Sequence, residues 1–148
     1  MKYDNIGSIS SGTLRPEDLI PAMIWEAKQH HLSREYRNQL RRIISRVANA
    51  ADDYWESDDA HYDMEELYNI LESVAPPYFY FGAHPGDGAD IGFWLCEGID
   101  EIFEGLRVND LSEVPTGYTG EVLHVNDHGN TSLYRAVRGR LYEVWAIV

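Results

Sequence analysis

At 148 residues, 44% of them hydrophobic, the chain is long enough for one globular domain that buries roughly 70% of its unfolded surface. A formal net charge of −13 repels phosphate backbones and anionic membrane surfaces, and no run of about 18 apolar residues could span a bilayer. A single cysteine, Cys96, rules out an internal disulfide and points to a reducing compartment.

Residues 1 to 14 are polar, contain Gly7 and Gly12, lack the apolar core of a signal peptide, and read as a loop entry. Pro16, Glu17 and Asp18 suit a first helical turn, because proline needs no amide partner there and acids favour the helix dipole. Pro21 is expected to break that segment, with a helix following to about His31 and Met23, Ile24 and Ala27 turned inward.

Ser33 is a suitable N-cap for a second helix, in which Tyr36, Leu40, Ile43, Ile44, Val47 and Ala51 form one apolar stripe. Arg34, Arg37, Arg41, Arg42 and Arg46 flank it. The simplest role for this basic flank is pairing with the acids that follow.

Those acids are Asp52, Asp53, Glu56, Asp58, Asp59, Asp63, Glu65, Glu66 and Glu72, in a stretch without lysine or arginine. Tyr54, Trp55 and Tyr62 interrupt the run. The stretch reads as an interhelical loop up to a third helix, about Met64 to Val74, which buries Leu67, Ile70, Leu71 and Val74. Pro76 and Pro77 end it.

PPYFYFGAHPGDGADIGFWL, residues 76 to 95, holds six of the eighteen aromatic residues. It reads as a hairpin of Tyr78–Ala83 and Ile91–Cys96 around a seven-residue loop, His84 to Asp90. A fourth helix is expected from Gly98 to Leu106, then a loop over 107 to 120. The segments Glu121–Asn126, Thr131–Val137 and Leu141–Val148 alternate with the turn sequences DHGN and RG, a three-stranded meander. The expected fold is α+β: one domain over 1–148, with N-terminal helices on one face of an antiparallel sheet of about five strands, in the order ααα-ββ-α-βββ.

Three features carry chemistry. Asp52, Asp53, Trp55, Glu56, Asp58, Asp59, Asp63, Glu65 and Glu66 present carboxylates spaced to imitate a phosphate backbone, with aromatic anchors among them. A solvated acidic loop accounts for the same residues. His84, Asp87 and Asp90, joined by His124 and Asp127 (and His128) if the two hairpin loops met, could hold a small ligand or a hard cation and support hydrolysis. Ordinary turn chemistry uses the same residue types, no EF-hand, HExxH or CxxC spacing is present, and neither a cofactor nor a metal is assigned. Cys96 with His84 or His124 as base would need an electropositive setting, yet Glu97 follows it directly; packing is the simpler role. The rings of YFYFG could stack bases, but no lysine or arginine lies between Arg46 and Arg107 to meet phosphates.

GSISSGTLRPEDLIPA, PPYFYFGAHPGDGADIGFW and YTGEVLHVNDHGNTSLYRA, about a third of the chain, resemble a group of small acidic proteins encoded by bacteriophages and prophages. The group has no assigned function and so brings no catalytic residues. The resemblance implies an accessory protein working in the cytoplasm of a bacterial host, of a class that often blocks defence complexes such as CRISPR or restriction systems. The expected partner is a host protein with a basic surface, with no direct contact to nucleic acid or membrane. A virion-associated structural role is the third reading, and exposed sheet edges leave a homodimer open.

Overall fold

The computed structural model describes residues 3–147; Met1, Lys2 and the last residue of the expected final strand, Val148, lie outside them. The fold is α+β. The elements run β1 (Gly7–Ser10), α1 (Pro16–Ala27), α2 (Arg34–Ala48), a 3-10 turn (Asp52–Glu56), α3 (Asp58–Glu72), β2 (Phe79–His84) and β3 (Asp87–Leu95). After them come α4 (Ile99–Ile102), β4 (Leu106–Val108), a second 3-10 turn (Leu111–Glu113), β5 (Gly120–Val125), β6 (Thr131–Val137) and β7 (Arg140–Ile147). Although the sequence carries no boundary signal, the chain forms two compact units, one up to Trp94 and one from Leu95 onward.

The single five-stranded sheet is replaced by two sheets, ordered β1-β3-β2 and β4-β5-β6-β7. Each sheet gains a strand the sequence did not signal, β1 on the edge of β3 and β4 on the edge of β5. β1, read as loop from its glycine and serines, pairs antiparallel with β3 through Gly7↔Phe93 and Ser8↔Gly92. β4 pairs parallel with β5, Leu106↔Val122 through Val108↔His124. A parallel pair needs a crossover of about a dozen residues, which the segment after β4 provides.

In the first unit, α1 runs unbroken through Pro21. That proline forfeits one bond to the Glu17 carbonyl, but Leu19, Ile20, Met23, Ile24 and Ala27 are all buried. Their burial outweighs a local cost of about 3 kcal/mol. With Leu40, Ile43, Leu67, Ile70 and Leu71 they form a core against Phe81, Ile91 and Phe93 of the sheet. The aromatic stretch is core, as its composition indicated: Phe81 and Phe93 lie 5.0 Å apart, and Trp94 Nε1 donates to the Gly82 carbonyl at 3.0 Å.

α3 begins at Asp58, six residues before the expected start. Ser57 caps it by accepting from Ala60 N, and Asp58 and Asp59 face the positive end of the dipole. Its inward positions are Ala60, Asp63, Leu67, Ile70 and Leu71. The aspartate at an otherwise apolar step hides the periodicity in the sequence.

In the second unit, α4 is a single turn, shorter than expected, because the chain extends into β4 from Leu106. The meander appears nearly as expected. Arg138 and Gly139 both have positive φ, 52° and 82°, the geometry of a two-residue hairpin turn. Val108, Val122 and Ala136 are buried on one face among Leu106, Leu111, Val114, Tyr118, Tyr134 and Leu141.

Candidate interaction surface

The acidic stretch is an ordered surface built on a buried ionic lock. Asp63 is 1% exposed and receives two bonds from Arg46, Nε to Oδ2 at 2.9 Å and Nη2 to Oδ1 at 2.7 Å. The Tyr54 hydroxyl donates to the same Oδ2 at 2.6 Å. One carboxylate thereby ties α2, the 3-10 turn and α3 together. Burial first, then the bond to Asp63, pushes the Tyr54 phenol well above its ordinary range. The bond to Asp63 raises Arg46 in turn, with Asp59 and Glu66 adding to it.

Of the nine expected contact residues, Asp63 is therefore interior and serves the scaffold. Asp52, Asp53, Glu56, Asp58, Asp59 and Glu65 are exposed, and Trp55 and Glu66 are half-buried. Trp55 packs edge-on to Tyr54 with centroids 5.0 Å apart. Tyr62, which the sequence treats as a possible anchor, stands 62% exposed. An open groove of about 700 Å³ runs beside the lock, lined by Arg42, Ser45 and Arg46 of α2, its C-cap Asn49, and by Asp53, Ser57 and Asp59.

The arginine flank does not pair with these acids as expected. Arg46 does; among the described residues Arg34, Arg37, Arg41 and Arg42 have no carboxylate within ion-pair distance. They project from the exposed side of α2, opposite buried Leu40 and Ile43.

The hairpin residues are spent on local structure. The expected seven-residue loop is a tight turn at Pro85 and Gly86, since β3 already begins at Asp87. His84 Nδ1 accepts from Gly86 N at 2.9 Å, and its ring stands edge-on to Trp94 at 4.7 Å. Asp87 accepts from Ala89 N at 3.0 Å, and Asp90 accepts from the Ser8 hydroxyl. His124 and Asp127 belong to the second unit, where His124 Nε2 donates to the Asn109 carbonyl at 3.1 Å and Asp127 sits in the β5–β6 turn. In that turn Asn126 Oδ1 accepts from the amides of His128 and Asn130. Among the described residues no group of three or more histidine, cysteine, aspartate or glutamate side chains is arranged to hold a metal ion. Cys96 is half-buried.

Two contacts escaped the sequence reading. Glu72 Oε2 accepts from Phe81 N at 2.6 Å, filling an amide on the outer strand β2. His30 Nε2 lies 2.9 Å from Glu26 with its ring 5.8 Å from Phe93. Glu26 and His30 stand four apart, a pairing that helical spacing favours, but no local pattern says that the pair meets an aromatic core.

No helix among the described residues is long and apolar enough to cross a membrane. The chain matches no protein family, no curated protein and no solved structure.

Proposed function

We propose that this is a non-enzymatic, phage-type accessory protein that binds a basic surface on a host protein through the acidic face of the 3-10 turn and α3. The intended target is a nucleic-acid-handling defence complex in the bacterial cytoplasm, blocked by carboxylates standing in for phosphates. The observation behind this reading is the lock at Asp63. It holds Asp58, Asp59, Glu65 and Glu66 on a rigid helix, where a loop would have to be ordered on binding at a cost in entropy. Tyr62 adds an exposed ring of the type enriched at interface anchors.

Affinity capture from a host lysate tests the reading. Wild-type protein is expected to enrich a basic, nucleic-acid-handling assembly, and the combined variant Asp58→Lys, Asp59→Lys, Glu65→Lys, Glu66→Lys to lose it while keeping its circular dichroism. Capture that survives these four reversals would remove the acidic face from the interface.

A further inference from the structure

We propose that Arg34, Arg37 and Arg41, one stripe of α2, form a docking surface for the phosphate backbone of duplex DNA. The inference concerns the purified chain and a bare duplex, so it does not depend on the host-partner reading.

Charge is unevenly spread along this chain. Between Glu26 and Asp52 lie six of its 12 lysines and arginines and a single acid, Glu35. Arg34, Arg37 and Arg41 are exposed and form no ion pair among the described residues, in a chain that carries 25 acidic residues. At about 100° per residue, these three fall within about 60° of one another around the helix axis. Arg46, which reaches Asp63 of α3, stands about 120° from Arg34 and about 180° from Arg37, so the stripe looks away from the acidic helix. Glu35 lies on the side of Arg46, about 20° from it. Arg42 belongs to that side too, in the groove it shares with Asp53 and Asp59.

The expectation of no contact with nucleic acid follows from the net charge of −13, which averages over this uneven surface. A helix with its side chains is about 10 Å across, more than the Debye length of about 8 Å at physiological salt. Carboxylates on the α3 side are therefore largely screened from the stripe. Arg34 to Arg41 covers about 10 Å of helix, the rise of three base pairs at about 3.4 Å each. Each guanidinium can take a phosphate through two parallel bonds, and exposed Asn38 beside the arginines adds a donor of the kind phosphates accept.

Two other partners fit less well. An acidic protein would be anchored by a ring or an aliphatic side chain, and α2 exposes no apolar side chain larger than alanine. A single strand would stack its bases on aromatic rings, and the one ring of α2, Tyr36, packs against the core. A duplex backbone needs only charge held in a line.

Fluorescence anisotropy of a labelled DNA duplex of about 20 base pairs, titrated with the chain to about 0.5 mM, is the test. A dissociation constant of about 100 µM is expected at about 0.1 M salt, the weak end of sequence-independent binding. Three phosphate contacts give a slope of about −2.7 in log affinity against log salt, a loss of about twentyfold between about 0.1 M and about 0.3 M. Arg34→Glu with Arg37→Glu and Arg41→Glu is expected to abolish binding. The same three positions changed to Gln, which disturbs the fold least, should weaken it about tenfold or more, and changed to Lys should hold it within about threefold. Circular dichroism is expected to stay unchanged in all three variants. A wild type that leaves the duplex free at about 0.5 mM, or binding indifferent to the Glu and Gln exchanges, overturns the proposal. Equally tight binding of the single-stranded 20-mer would overturn it in favour of an unpaired strand, and equally tight binding of poly-glutamate in favour of an acidic protein.

Discussion

Arg46 grips Asp63 through two parallel bonds, and the carboxylate so gripped is almost wholly out of water while the arginine side chain as a whole remains 45% exposed. The asymmetry sets what each partner is worth. Removing the carboxylate frees a cation that water can reach; removing the arginine strands a buried anion. Asp63→Ala is expected to cost about 3 kcal/mol in denaturant unfolding, the low end for breaking a buried pair. Arg46→Ala is expected to cost more. Tyr54→Phe, which removes one donor and leaves the fork, should cost about 1.5 kcal/mol. Equal losses for all three would mean that the lock does not act as a unit around Asp63.

Gly92 faces Ser8 across the β1–β3 pair, and a Cβ there would stand 2.1 Å from the Gly7 carbonyl oxygen. The atoms it would meet, from Gly7 and Ser8, are all β1 backbone, so no flexible side chain can move aside. Gly92→Ala is therefore expected to detach β1 and destabilise the first unit by about 2 kcal/mol or more. Hydrogen exchange should show β1 and its β3 partners losing protection before the helices do. Unchanged protection at β1 would contradict the close approach.

The Glu72 carboxylate occupies an amide on the outer strand that would otherwise be open to pairing with another chain. Glu72→Gln keeps an acceptor and is expected to be nearly neutral. Glu72→Ala is expected to cost about 1.5 kcal/mol and to speed exchange of the Phe81 amide. If the two substitutions behave alike, the bond contributes nothing.

Alkaline pH tests the phenols. Tyr54, Tyr68 and Tyr134 are all raised, each by burial first. A raised acid binds its proton more tightly in the folded state, so its contribution is complete below the unfolded value of about 10. As pH rises past that point the unfolded chain loses protons first, and stability falls until the folded phenols ionise too. Unfolding free energy should thus decline above about pH 10, and less steeply in Tyr54→Phe. A flat profile to pH 12 would contradict the burial of these hydroxyls.

What was legible in the sequence was whatever local chemistry decides. Ser33 caps α2 by accepting from Tyr36 N, Arg138 and Gly139 turn the last hairpin, and the rings around Phe81 and Phe93 form core. Each depends on neighbours within a few residues or on bulk hydrophobicity. Tertiary structure alone decided the rest. It carried α1 through Pro21, because five buried side chains offset one missing bond. It recruited Gly7–Ser10 and Leu106–Val108 as strands, since a short polar or isolated segment becomes a strand only where a partner edge awaits it. It also divided the acids that composition lumps together, sending Asp63 inward to Arg46 and leaving Asp58, Asp59 and Glu65 outside. Charge is readable from a sequence; which charge finds its counter-ion depends on how helices lie together in space.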